Sequence, residues 1–181
     1  FGDGVSPEDA VARILSDVRD NGDIALQSWS ERIDGTVPDP FQVTQNDLSS
    51  GRELISVETS QAMKLALDRI RTFHSLQPLS DWETKELGGI MGQRMIPLER
   101  VGVYVPSGTA SLPSSLLMAA IPAQVAGVQE IIVCTPPGKE GNQVAGVILA
   151  AAHMLGIDKV YQLGGAQAIA AMAYGTETVP R

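Results

Sequence analysis

Three times in its second half the chain passes from a short apolar segment, through a turn rich in glycine or proline, into an alanine-rich stretch. The three passages are Val101-Gly-Val-Tyr-Val-Pro-Ser-Gly-Thr-Ala, Ile131-Ile-Val-Cys-Thr-Pro-Pro and Val160-Tyr-Gln-Leu-Gly-Gly-Ala-Gln. Strand, turn and helix in that repeating order call for an α/β fold, with a parallel sheet and crossover helices. Ligands of such sheets bind at the carboxyl ends of the strands, so the three turns are where a site is expected. The third helix runs almost to Arg181. Whatever completes such a site is therefore expected to come from outside these residues.

The 181 residues suit one domain, or one domain with a helical appendage, and are enough to bury a core. The formal net charge of −8, without a block of Lys or Arg, argues against nucleic acid and against anionic membranes as partners. Cys134 is the only cysteine, so no intrachain disulfide can form. Its apolar strand setting reads as a small buried hydrophobe. The lack of disulfides fits a reducing compartment, and the cytoplasm is the expected location. The most apolar stretch, Leu116 to Val128, is interrupted by Pro122 and Gln124 and is too short to span a bilayer.

The first hundred residues read as mostly helical. Ser6-Pro7-Glu8-Asp9 starts a helix with a cap, a proline in its first turn and two acids at the positive end. Val11, Ile14, Leu15 and Val18 share a face, Asn21-Gly22 stops the helix, and Asp23 can cap a second one. That helix carries Ile24, Leu26, Trp29 and Ile33 and ends near Asp34-Gly35. Residues 36–43 read as a loop. Thr44 to Asp47 starts a short helix, and Ser56 caps a longer one with Met63, Ala66, Leu67, Ile70 and Phe73 on its apolar face. Trp82–Glu86 and Ile90–Leu98 form a hairpin around Gly88-Gly89. Beyond a boundary near Arg100, helices are expected from Pro113, with a kink or restart at Pro122, and from Gln143 to Leu155. The third strand is Lys159 to Leu163, and Gly164-Gly165 opens the last helix.

Local pattern alone finds little chemistry. His74 and His153 have no partner at metal-ligand spacing on the same helical face, so no self-sufficient zinc site is read. Ser107, Ser111, Ser114 and Ser115 have no neighbouring histidine, and turn or capping hydrogen bonds account for them. Neither a G-x-G-x-x-G fingerprint nor a P-loop is present. Gly164-Gly165 either lets a ligand approach the backbone or simply makes a tight strand-to-helix turn. Tyr104, near the end of the first strand, and Gln167, in the first turn of the last helix, are either a core tyrosine and a surface glutamine or polar groups brought to the ligand end of the sheet, and spacing does not decide between the two.

At these residues the chain resembles the histidinol dehydrogenase family. The likeness rests on the Val101–Ala110 strand and loop, the Leu117-Met118 to Pro122-Ala123 helix, and Gly164-Gly-Ala-Gln-Ala-Ile-Ala-Ala-Met-Ala-Tyr-Gly-Thr-Glu-Thr-Val-Pro180. It extends back through Asn21-Gly-Asp-Ile-Ala-Leu and Ile70-Arg-Thr-Phe-His74. The resemblance implies an incomplete Rossmann-like domain and a zinc- and NAD-dependent oxidoreductase. Such an enzyme oxidises L-histidinol through the aldehyde to L-histidine, the last steps of histidine biosynthesis, and works as a homodimer. It implies that Tyr104 and Gln167 contact NAD. It also implies that the zinc ligands and the catalytic Glu-His pair lie beyond Arg181, so that neither a catalytic nor a metal residue is assigned here. One departure is Pro106-Ser107-Gly108, where the family commonly has Pro-Gly-Gly.

The expected architecture is thus an incomplete Rossmann-like parallel sheet preceded by a mostly helical segment with a β-hairpin. Residues 1–100 are expected to belong to a larger domain and 101–181 to form the nucleotide-side βαβαβα domain. The chain would be an amino-terminal portion without the catalytic half, inactive alone, with an apolar patch exposed where other segments pack. Two alternatives stand beside this reading: a related zinc- and NAD-dependent dehydrogenase of another small alcohol, and a non-catalytic binding or dimerisation module.

Overall fold

A computed structural model of the chain describes residues 4–77, 80–107, 111–138 and 144–181. The first helix, α1 (Pro7–Asp34), begins as the sequence indicates, with Ser6 Oγ accepting from the Asp9 backbone N–H at 3.1 Å. Gly22 interrupts it at φ 53° and ψ −131°, a left-handed conformation that glycine adopts without a Cβ penalty. The stop is where Asn21-Gly22 puts it, but Asp23 does not cap the turn that follows. Its carboxylate accepts instead from the Thr178 hydroxyl and from the Thr178 N–H at 3.4 Å. The exposed Asp23 N–H is met from across the fold by Glu177 Oε2 at 2.9 Å. The break in α1 is thereby tied to the segment after the last helix.

Thr44 and Ser56 each cap a helix through the N–H three residues on, starting α2 (Gln45–Ser50) and α3 (Val57–Ser75). A 3₁₀ turn, Gly51–Leu54, joins them closely. A two-stranded antiparallel hairpin follows, β1 (Trp82–Thr84) with β2 (Met91–Gln93). Trp82, Ile90, Met91, Ile96 and Leu98, in and around it, are exposed.

The parallel sheet is made of β3 (Arg100–Tyr104), β4 (Glu130–Thr135) and β5 (Lys159–Gln162), in that spatial order. The crossovers carry α4 (Pro113–Val125, with Pro122 inside it) and α5 (Gly146–Met154), and α6 (Gly165–Tyr174) leaves β5. Gly108–Ala110 of the first loop and the expected helix start at Gln143 lie outside the described residues. At the amino end of the sheet, Glu130 is paired with Arg100 at 2.7 Å and with Lys159. Those hydrogen bonds, Arg100's first, hold its carboxyl below the usual range.

One strand-like pairing was not foreseen. Within the expected loop 36–43, Val43 N–H donates to Val160 O and Gln162 N–H to Phe41 O, each at 2.8 Å, so this segment edges the sheet antiparallel to β5. Two cores result. One packs α2, α3, α4 and α5 on the face bearing Val103, Ile131, Val133 and Val160. The other packs α1 and α6 on the face bearing Ile132, Cys134 and Tyr161. Both draw on residues from either side of Arg100. Four residues assigned to apolar helix faces, Val11, Ile24, Ile33 and Phe73, are exposed instead. Helical periodicity marks a stripe, but only the width of the opposing surface decides how much of the stripe is covered.

Candidate functional site at the carboxyl ends of the strands

Tyr104 and Gln167 lie on opposite sides of one turn. Tyr104 ends β3, and its hydroxyl accepts from the Gly165 N–H, the first of α6, at 3.1 Å. The hydroxyl keeps its own proton to donate. Gln167 sits one turn into α6 and is fully buried. Its Nε2 donates to Asp34 Oδ2 at 3.1 Å, while its Oε1 has no hydrogen-bond partner.

The glycine pair between them is closely packed by the chain's own atoms. A Cβ on Gly164 would lie 3.0 Å from Pro136 Cγ and 3.1 Å from Asp34 Oδ1. Gly165 has φ +58°, and a Cβ there would meet Gln167 Oε1 at 2.7 Å. The tight-turn reading of Gly164-Gly165 therefore has its physical cause in this packing.

Two further buried polar atoms lack partners at the same end of the sheet, Thr135 Oγ1 and Gln162 Oε1. These residues are register partners at the last rung of β4 and β5. A buried, unpaired polar atom costs about 1–3 kcal/mol. By strand alternation Thr135 and Gln162 belong to the face of the sheet covered by α2 and α5, whereas Gln167 lies with α1 and α6 on the other face, so the three do not form one cluster. None of this involves Cys134, whose thiol burial pushes up to about 12.

The sequence reading did not include Asp34, Thr135 or Gln162 among the site residues. For the last two a signal existed, since each is a polar side chain closing an apolar strand. Asp34 carried no such signal. Its carboxyl is half-buried, and burial raises it above its usual range, with the Gln167 hydrogen bond offsetting this in part.

A raised folded-state value means that Asp34 favours the fold at low pH and that this contribution is lost as pH rises through the folded value. Asp34→Asn is therefore expected to raise the melting temperature at pH 7, with the gain vanishing near about pH 3.5. Thermal denaturation at both pH values checks it. An equal shift at the two would contradict the assignment.

Among the described residues, no group of three or more His, Cys, Asp and Glu side chains could hold a metal ion. His74 Nδ1 is 2.7 Å from Gln77 Oε1, and His153 is exposed. No helix among the described residues is long and apolar enough to cross a membrane.

The sequence profile of the family described as Histidinol dehydrogenase matches residues 3–181. Histidinol dehydrogenase of Deinococcus radiodurans is 49% identical over 180 residues, which is 99% of this chain and 41% of that protein. Its namesake in Geobacillus kaustophilus is 48% identical over 171 residues, 94% of this chain and 40% of that protein. The crystal structure of histidinol dehydrogenase from Elizabethkingia anophelis superposes with a TM-score of 0.90 at 32% identity, covering all of this chain and 42% of that one. The chain thus spans about 40% of the length of the relatives it matches. By profile, sequence and fold alike, it belongs to the histidinol dehydrogenase family.

Proposed function

We propose that this chain forms the nucleotide side of an NAD- and zinc-dependent enzyme that oxidises L-histidinol, through the aldehyde, to L-histidine. The observation that carries the reading is Gln167: fully buried, one turn into α6, with Oε1 lacking a partner beside the Tyr104–Gly165 hydrogen bond. An amide oxygen in that state is an acceptor for a ligand hydroxyl, such as those of a ribose. Tyr104, already accepting from Gly165, has its proton available for a ligand oxygen. NAD, when bound, supplies the hydride acceptor, and this chain's part is to bind and orient it.

In this proposal the zinc ligands and the catalytic Glu-His pair come from outside residues 1–181, as the family resemblance implies. Within the same proposal, 101–181 is the nucleotide-side domain, and 1–100 packs against it as part of a larger one. The whole protein is a cytoplasmic homodimer with neither nucleic-acid nor membrane partners. Oxidation of another small alcohol is the second reading, since the residues that select the substrate lie mainly outside this chain. The Thr109-Ala-Ser-Leu-Pro-Ser-Ser stretch favours histidinol over it.

Tyr104→Phe and Gln167→Ala test the nucleotide contacts. In the complete protein, each is expected to weaken NAD about tenfold, the scale of one lost ligand hydrogen bond in a buried site. The KM for L-histidinol should move less. Unchanged NAD affinity in both folded variants would remove the assignment.

A further inference from the structure

Asp34 closes α1 and Gln167 opens α6, and the two helices pack against each other along the second core. Their side chains, 133 residues apart in sequence, meet at 3.1 Å through Gln167 Nε2 and Asp34 Oδ2. We infer that Asp34 is the positioning residue for Gln167, holding its amide so that the NH₂ group points to α1 and the oxygen toward the ligand.

The chemistry of the two groups makes this a one-way arrangement. An ionised carboxylate only accepts hydrogen bonds, whereas a carboxamide donates from one side and accepts on the other. By taking Nε2, Asp34 leaves Oε1 as the free acceptor, on the side of the Gly165 turn, 2.7 Å from where a Gly165 Cβ would stand. An amide rotated by half a turn would set its oxygen against the carboxylate, and it would offer a ligand hydroxyl two N–H groups and no acceptor. Among the described residues Oε1 has no hydrogen-bond partner that would fix the choice.

The backbone is shaped to permit the contact. Asp34 Oδ1 lies 3.1 Å from the place where a Gly164 Cβ would stand, so the glycine lets the carboxylate approach the turn. The arrangement keeps a carboxylate half-buried with, among the described residues, no cationic side chain hydrogen-bonded or ion-paired to it. Retaining such a group against its desolvation cost is the trade of stability for function seen at binding sites. Asp34 touches neither substrate nor cofactor in this account and acts only through Gln167.

The inference rests on Gln167 contacting NAD, and a double-mutant cycle separates the two ideas. The NAD dissociation constant is measured by calorimetry in the complete protein for the parent, Asp34→Ala, Gln167→Ala and the double variant, with melting temperatures alongside. Asp34→Ala is expected to weaken NAD about tenfold, to leave the L-histidinol KM nearly unchanged, and to add nothing once Gln167 is Ala. Asp34→Asn serves if the alanine variant does not fold. Its own amide can face Gln167 either way, so it should weaken NAD several-fold and again add nothing to Gln167→Ala. Losses that add in the double variant, or an Asp34 variant with parental NAD affinity, would overturn the positioning role while Gln167→Ala still weakens NAD. A Gln167→Ala protein with parental affinity would overturn the nucleotide reading and this inference together.

Discussion

Gly51→Val is expected to destabilise the fold by about 3 kcal/mol or more, near the upper end for forcing atoms into a packed interior. Gly51 is buried in the 3₁₀ turn between α2 and α3, against α5. A Cβ there would stand 2.5 Å from Leu149 Cβ, 2.8 Å from Ala150 N and 2.9 Å from Leu149 C. Two of those atoms belong to the α5 backbone, which cannot turn aside as a side-chain tip can. The Gly51 backbone is right-handed, at φ −51°, so the substitution tests space and not conformational freedom. In a chain of this size the melting temperature should fall by roughly 6–12 °C. Gly89→Ala is the control, since a Cβ at Gly89 meets nothing within 4 Å. If Gly51→Val melted with Gly89→Ala, the close approach of the 3₁₀ turn to α5 would be wrong.

The purified 181-residue chain, given NAD, zinc and L-histidinol, is expected to form no NADH above background, at least about a thousandfold below the complete protein. The chain's own groups explain why. Tyr104 and Gln167 can hold and orient a polar ligand. The Asp34 carboxylate beside Gln167 is engaged by its amide. Among the described residues no set of side chains could bind the metal that would polarise an alcohol. The relatives carry about 60% of their length outside the matched region, room enough for those groups. Zinc-dependent NADH formation by the 181-residue chain would contradict the division of labour proposed above.

Much of the fold is legible in local chemistry. Ser6 and Ser56 cap the helices they were assigned, Gly22 breaks α1, and the parallel strands lie where the apolar segments do. These features depend on neighbours within four or five residues, which a sequence displays directly. The edge pairing of 41–43 with β5 and the capping of Asp23 by Glu177 do not, because each joins residues more than a hundred positions apart. The site divides in the same way. Position alone left Tyr104 and Gln167 undecided between ordinary and ligand-binding roles, the family resemblance singled them out, and the structure brings both to the Gly164-Gly165 turn. Asp34 escaped because an aspartate beside a helix-ending glycine has an ordinary local role, and its partner is on another helix.

The central claim is that the complete protein carrying this chain turns L-histidinol into L-histidine with NAD. The direct measurement is NADH formation from L-histidinol by that protein, purified and supplied with zinc, with histidine quantified alongside. The account predicts robust turnover with two NADH formed for each histidine. Folded, zinc-loaded protein that binds NAD but leaves L-histidinol unoxidised would contradict it.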